Sequence, residues 1–312
     1  MGMNRIEELT YRSYNGESTC WAMVMEPQGA EPKAVVQLVH GMAEHMDRYM
    51  DFARYLSGNG VAVCGADHAG HGKSSNSPED YGYFGEKDGA RTMVEDAHRL
   101  SEMMHRRFHK VPYFILGHSM GSFVVRKYIT EYADDLAGAM ISGTGGPHPA
   151  SAAGHLYAKL RMKQKGRRYK SSTLDKLAFG AYNKRFHEEN PTVSDWLSRD
   201  RAVVQAFVDD PASGFIFTVS AFGDFLGLMR EVNAKTWPGK VPKNLPLYLF
   251  SGEMDPVGNY GKGVTQVYTR LKEAGIQDVS LKLYPEGRHE MLNETNREEV
   301  YQDVLAWVDG HL

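Results

Sequence analysis

Val111-Pro-Tyr-Phe-Ile-Leu-Gly-His-Ser-Met-Gly-Ser-Phe-Val-Val-Arg-Lys-Tyr128 is the stretch whose reading decides the fold. Its first half is an apolar run of strand length, and its second half reads as a helix starting near Ser119. Between them lies Gly117-His118-Ser119-Met120-Gly121, a G-x-S-x-G pattern. In a nucleophile elbow the serine tops a sharp strand-to-helix turn and is forced into a strained backbone conformation. Gly117 and Gly121 flank it because side chains there would collide where strand and helix nearly touch. The turn also sets Ser119 at a helix N-terminus, where free N–H groups favour developing negative charge. The pentapeptide alone is a weak signal in a chain with 32 glycines; the strand before it and the helix after it give it meaning.

Outward from the elbow, strand and helix signals alternate. Ala34-Val-Val-Gln-Leu-Val-His40 is near-continuously apolar, as a strand buried on both faces should be. Val61 to Ala66 is the next such run, followed by the glycine-rich Asp67-His-Ala-Gly-His-Gly-Lys-Ser74. Leu136 to Ser142, Leu245 to Ser251 and Val279 to Tyr284 continue the series, and Leu9 to Tyr14 with Thr19 to Met25 suggests an opening hairpin. The alternation implies an α/β fold with a mostly parallel central sheet and helices on both faces. The rhythm stops after residue 145. Helix-like blocks near 151–165, 173–188, 194–208 and 215–231 fill the gap until strands resume. The expected organisation is therefore a core of residues 1–145 and 242–312 with a helical lid inserted at 146–241.

A serine hydroxyl needs a base to take its proton, and that base needs an acid to orient it. In this architecture acid and histidine follow in that order on loops after later strands. Asp255 lies after the strand at 245–251 and His289 after the strand at 279–284. Glu253 is the nearest rival acid. The remaining histidines have bland readings, among them surface helix for His98, His105 and His109 and lid surface for His155 and His187. Acyl transfer also requires donors for an oxyanion. By position these are the backbone N–H groups of Met120, just after the serine, and of Met42, in the loop after the strand ending at His40.

Three motifs together carry a family resemblance: His40-Gly-x-x-Glu-His45 with Arg48-Tyr49, Asp67-His-x-Gly-His-Gly-x-Ser74, and Gly117-His-Ser-Met-Gly121. The set resembles the monoacylglycerol lipase and lysophospholipase group of α/β-hydrolases, and serine-peptidase-like hydrolases share part of it. The resemblance covers the chain except much of the lid. It implies the α/β-hydrolase fold, a triad of Ser119, Asp255 and His289, an oxyanion hole at Met42 and Met120, and Glu44 and Arg48 near the small polar end of the substrate. Mammalian members resemble H-x-x-H at the catalytic histidine and carry a cysteine three residues after the acid. Here Leu292 and Gly258 stand at those places. Asp255-Pro-Val-Gly and Arg-His-Glu-Met-Leu-Asn-Glu294 are more similar to bacterial proteins labelled lysophospholipases.

The expected activity is serine carboxylic-ester hydrolysis of a lipid-like monoester, with no cofactor and no metal. A short-chain or phenolic-ester esterase, a peptidase, and a ligand receptor on a hydrolase fold are the alternatives. Phe215 to Met229 is apolar nearly all round and reads either as a core-packed helix or as an acyl-tunnel wall, with Phe222 and Phe225 sharing one face. Lys159 to Lys170 carries seven positive charges, which suit a solvated face or peripheral contact with an anionic membrane surface. A net charge of −3 argues against nucleic-acid binding. The polar start suggests no signal peptide, and no apolar run reaches the length of a membrane span. With two cysteines in strand-like runs, a cytoplasmic location is expected, and the oligomeric state is left open.

Overall fold

The computed structural model describes residues 6–148, 150–186, 188–189 and 191–312; His187 lies outside the described residues. Eight strands form one sheet: β1 (Ile6–Arg12), β2 (Thr19–Met25), β3 (Ala34–Val39), β4 (Val61–Ala66), β5 (Tyr113–His118), β6 (Gly138–Ser142), β7 (Leu247–Gly252) and β8 (Val279–Tyr284). Their order is β1-β2-β4-β3-β5-β6-β7-β8. The first two are antiparallel to their neighbours, and β4 to β8 run parallel. Strands β3, β5, β6 and β7 are buried along their whole length, which explains why they read as apolar runs rather than alternating ones. The crossing of β3 and β4 in the sheet has no counterpart in the linear pattern.

Helices cover both faces. Helices α1 (Met50–Gly58) and α9 (Arg297–Asp309) bury Phe52, Leu56, Val300, Val304 and Val308 against one face. Against the other lie α2 (Gly89–Arg107), α3 (Met120–Tyr128) and α8 (Lys262–Glu273), through Met93, Val124, Val125, Val264 and Val267. The chain leaves the sheet after β6 and returns at β7, which is parallel to β6 and paired with it. In between come α4 (Ala150–Lys165), α5 (Ser172–Phe179), α6 (Arg201–Asp209) and α7 (Val219–Val232). Among the described residues the only strand-like contact there is an isolated bridge from Lys170 to Thr218.

Two expectations for this segment need correction. Residues 215–218 are not helical: Thr218 has extended backbone and caps α7 by accepting from the Ala221 N–H, while Phe215 and Phe217 pack against His71. Helix α6 starts only at Arg201, because Asp200 caps it through the N–H groups of Ala202 and Val203. His109 is exposed as expected, while His98 and His155 are less so. His98 stacks on Tyr132 with ring centroids 3.7 Å apart, and His155 Nδ1 lies 2.8 Å from the Gly223 carbonyl, tying α4 to α7.

Candidate active site

Ser119 sits between β5 and α3 with φ 52° and ψ −119°, a backbone conformation side chains adopt only when the surroundings enforce it. The enforcing contacts are close. A Cβ on Gly121 would lie 1.9 Å from the Val39 carbonyl oxygen, and one on Gly117 would lie 2.2 Å from that of Gly121. The Ser119 N–H donates to the Ser142 carbonyl on β6 at 2.9 Å. Strand, turn and helix thus touch where the glycines stand, and the serine is held proud of them.

Asp255 and His289 come together after β7 and β8. His289 Nδ1 lies 3.0 Å from Asp255 Oδ1, an ion-pair contact short of aligned hydrogen-bond geometry, and both side chains are buried. Asp255 is fixed by two donors, the Val257 N–H at 2.8 Å and Ser251 Oγ at 3.0 Å. Burial pushes its carboxyl up, but His289 and these donors outweigh that and hold it below the ordinary aspartate value. For His289 burial pulls the imidazole down, while the Asp255 carboxylate overrides it and leaves the group raised. His289 Nε2 is buried and makes no hydrogen bond to a described residue. The rival acid Glu253 is exposed to solvent. His118 packs beside His289 at 4.7 Å between ring centroids, and burial lowers it to about 4, so it is neutral.

The loop after β3 is built to leave one donor free. The Gly41 N–H donates to Glu44 Oε1 at 2.5 Å, and the Ala43 N–H donates to His71 Nε2 at 3.3 Å. Ala43 takes φ 52°. Among the described residues the N–H groups of Met42 and Met120 have no partner. The glycine-rich loop after β4 is the scaffold beneath. Asp67 accepts from the N–H groups of Met46 and Lys73, each at 2.8 Å, and the His68 N–H donates to His40 Nε2 at 3.0 Å. Burial lowers His71 to about 3, which keeps its Nε2 an acceptor at neutral pH.

Glu44 and Arg48 are also brought to this place, but in different roles. Glu44 lines the cavity over Ser119, and Arg48 does not. Both Arg48 terminal nitrogens reach Glu290, each at 2.6 Å, and Nη1 also donates to Glu44 Oε2 at 2.7 Å. Tyr49 Oη donates to Glu44 Oε1 at 2.7 Å. The guanidinium therefore braces the Met42 loop against the His289 loop. Glu290 was missed by sequence reasoning because its partner Arg48 lies 242 residues away.

A cavity of about 2130 Å³ opens over Ser119 and His289. Its walls include Tyr157, Leu174, Phe179, Trp196, Phe222 and Phe225. Phe222 is buried against Phe217 and Phe179, so it belongs to both core and wall. Phe225 is half-buried and meets Phe123 edge-on at 5.6 Å. Among the described residues no group of three or more His, Cys, Asp or Glu is arranged to hold a metal ion.

A strained serine at a strand-to-helix elbow, near a buried histidine–carboxylate pair and free backbone donors, defines a serine hydrolase of the α/β-hydrolase fold. The chain belongs to the family described as serine aminopeptidase, S33, whose model matches residues 30–296. It is similar over 99% of both chains to a thermostable carboxyl esterase from Bacillus coagulans, solved with glycerol, at 31% identity and a TM-score of 0.92. It is 28% identical over 292 residues to a monoacylglycerol lipase of Mycolicibacterium smegmatis, covering 90% of each chain. The human monoglyceride lipase is 28% identical over 298 residues, covering 91% of this chain and 84% of that one. These relatives place the protein among the carboxylic-ester hydrolases.

Proposed function

We propose that the protein hydrolyses single-chain lipid esters of the monoacylglycerol type through an acyl-enzyme on Ser119. His289 takes the serine proton and returns it to the leaving alcohol. Asp255 orients the imidazole, and the N–H groups of Met42 and Met120 stabilise the oxyanion. The observation that carries this reading is the cavity. At about 2130 Å³ it exceeds the roughly 300–1,000 Å³ of ordinary small-molecule sites. Its wall is rich in aromatic and aliphatic side chains, which suits a tail that prefers to leave water by ~0.8 kcal/mol for each CH2.

The polar end favours a neutral head group. Glu44 and Glu290 face the cavity there, and Arg48 is occupied by both of them. A phosphate at that end would meet two carboxylates, with the Arg48 guanidinium already engaged by both. Monoacylglycerol is therefore expected to be cleaved at least tenfold faster, as kcat/KM, than a lysophosphatidylglycerol of the same acyl chain. Equal rates would remove the argument for a neutral head. The short-chain reading has one observation in its favour, the 31% identity to a protein named a carboxyl esterase. A kcat/KM that peaks at acetate or butyrate in a series of glycerol esters would establish it instead.

The outer face of α4 supports peripheral contact with anionic lipid. Leu156 and Leu160 are 59% and 51% exposed, and the exposed Lys159, Lys163 and Lys165 have no ion-pair partner among the described residues. Leucines that dip into the interface beside lysines that meet its charge form an amphipathic surface of this kind. No described helix is long and apolar enough to cross a membrane.

A further inference from the structure

Residues 192–200 of the inserted segment are bonded to the loop that carries His289. The N–H of Glu290 donates to the Leu197 carbonyl at 2.8 Å, and that of His289 to the Trp196 carbonyl at 3.4 Å. Ser198 Oγ donates to the Asn293 carbonyl at 2.9 Å. Arg288 Nη1 reaches the carbonyls of Asp195 at 2.6 Å and Ser198 at 3.2 Å. Glu294, wholly buried, accepts from the N–H and the Nε of Arg199 and from the N–H of Arg288, each at 3.0 Å. Apart from the local one from the Arg288 N–H, these bonds join segments ninety or more residues apart in the chain, and the charged ones to Glu294 are of the strong class.

The seam delivers one side chain to the reacting centre. The Trp196 ring lies 5.0 Å from the His289 ring, tilted by 39°. Behind it Trp196 packs on Tyr182 at 4.9 Å and Phe179 at 6.3 Å, both from the insertion. The His289 imidazole needs such a wall. Asp255 holds the ring at Nδ1 from one side, 3.0 Å away, and Nε2 has no described partner to fix the opposite end. The other charged or titratable groups acting on it are Glu290, Glu44 and the neutral His118.

We propose that Trp196 is a positioning residue for the reaction, an arm of the inserted segment that holds the His289 ring toward Ser119 and keeps water from it. The proposal rests on the reading of His289 as the base. A displacement of about 1 Å in a reacting group costs on the order of 10²-fold in rate. Uncovering the ring also relieves the burial that pulls its pKa down, so the imidazolium survives to higher pH.

The test uses p-nitrophenyl acetate, whose phenolate leaves without a proton, so that in acylation His289 is needed only as a base. Trp196→Ala should lower kcat about 10- to 100-fold while KM stays within about threefold. The acid limb of kcat/KM should move up by about half a pH unit or more, and Trp196→Phe should recover most of both. Arg199→Met, which keeps the Trp196 side chain but loosens the seam that supports it at Glu294, should lower kcat in the same direction; it and Trp196→Leu decide the matter if Trp196→Ala does not fold. Unchanged kcat and an unmoved limb in the folded variants overturn the proposal, as does a change confined to KM. His289→Ala separates the two readings: if it stays active the base is misassigned, whereas an inactive His289→Ala beside a fully active Trp196→Ala refutes positioning alone.

Discussion

Replacing Asp255 by asparagine probes the chemistry with the least change of shape. The residue is wholly buried, and its Oδ1 faces both His289 Nδ1 at 3.0 Å and the Val257 N–H at 2.8 Å. Asparagine keeps the volume but loses the charge, and an amide N–H turned toward His289 would favour the wrong tautomer. At 3.0 Å and an effective dielectric of about 20, Coulomb's law gives roughly 5–6 kcal/mol for a carboxylate facing an imidazolium. That is the stabilisation available to the transition state, and at 1.36 kcal/mol per decade it corresponds to about 10⁴ in rate. The expected loss in kcat is therefore 10³- to 10⁴-fold, with the melting temperature nearly unchanged. A second readout comes from pH. In the native enzyme Asp255 holds His289 above its ordinary value, so kcat/KM should fall as pH drops through a point above about 6.5. Without the carboxylate, burial is opposed only by the weaker influence of Glu290 and Glu44, and the acid limb should move to lower pH. Steady-state hydrolysis of p-nitrophenyl butyrate from pH 4.5 to 9 measures both quantities. Activity within tenfold of native, or an acid limb that stays in place, would refute the reasoning, and a crippled Glu253→Gln would show that the acid had been misnamed.

Ser119→Ala should fold as the native protein does, lose hydrolysis by several orders of magnitude and fail to label with a fluorophosphonate; retention of more than a few per cent of activity would remove Ser119 as nucleophile. Phe225→Ala, which opens the half-buried wall beside Phe123, should shift the preferred acyl chain toward longer or bulkier esters with little change for acetate. Up to that optimum, each two-carbon extension is worth about fifteenfold at most in kcat/KM; an unmoved optimum would make the helix plain core. Neutralising Lys159, Lys163 and Lys165 together should weaken binding to vesicles containing phosphatidylserine and leave soluble esters untouched. Binding that is unchanged, and equally indifferent to salt, would reduce the basic stretch to a solvated face.

The residues legible in the sequence are those whose signal is local. Strands β3, β5, β6 and β7 are wholly buried, so each wrote itself as a near-continuous apolar run. The elbow was legible because its steric demand falls on two glycines within five residues. Asp255 and His289 were found because chain order and strand ends confine where acid and base stand. What escaped is held by contacts distant in sequence. Glu290 meets Arg48 across 242 residues, and the bond from Arg199 to Glu294 spans 95; neither has a periodicity or spacing to betray it. Phe215 and Phe217 misled for the opposite reason. Their apolar character suits a helix, but their rings are taken up by His71 and the loop after β4, and tertiary packing overrode the local pattern.

The inserted segment raises a problem of anchorage that Arg126 resolves. Strands β6 and β7 are paired and parallel, so a chain that leaves β6 at one edge of the sheet must cross to the other edge to enter β7, and it needs a fixed point on the way. The start of the insertion and the end of its last helix, α7, both meet the Arg126 side chain, near the end of the elbow helix α3. Nη1 donates to the Gly145 carbonyl at 3.0 Å and to Thr144 Oγ1 at 3.3 Å, and Nη2 donates to the Val232 carbonyl and to Asn233 Oδ1 at 2.9 Å. The guanidinium is wholly buried with no carboxylate in contact, and burial lowers it to about 9, so it is still charged at neutral pH. A buried cation is costly unless its donors are satisfied. Here carbonyl and side-chain oxygens take both terminal nitrogens, the face of Trp237 lies 4.4 Å away, and among the described residues only Nε is left without a partner. Since the cost of closing a loop grows only slowly with its length, a long insertion is tolerated once its two ends are clamped. The clamp sits on the helix whose first turn carries Ser119, so the segment that roofs the cavity and the serine beneath it share one rigid support.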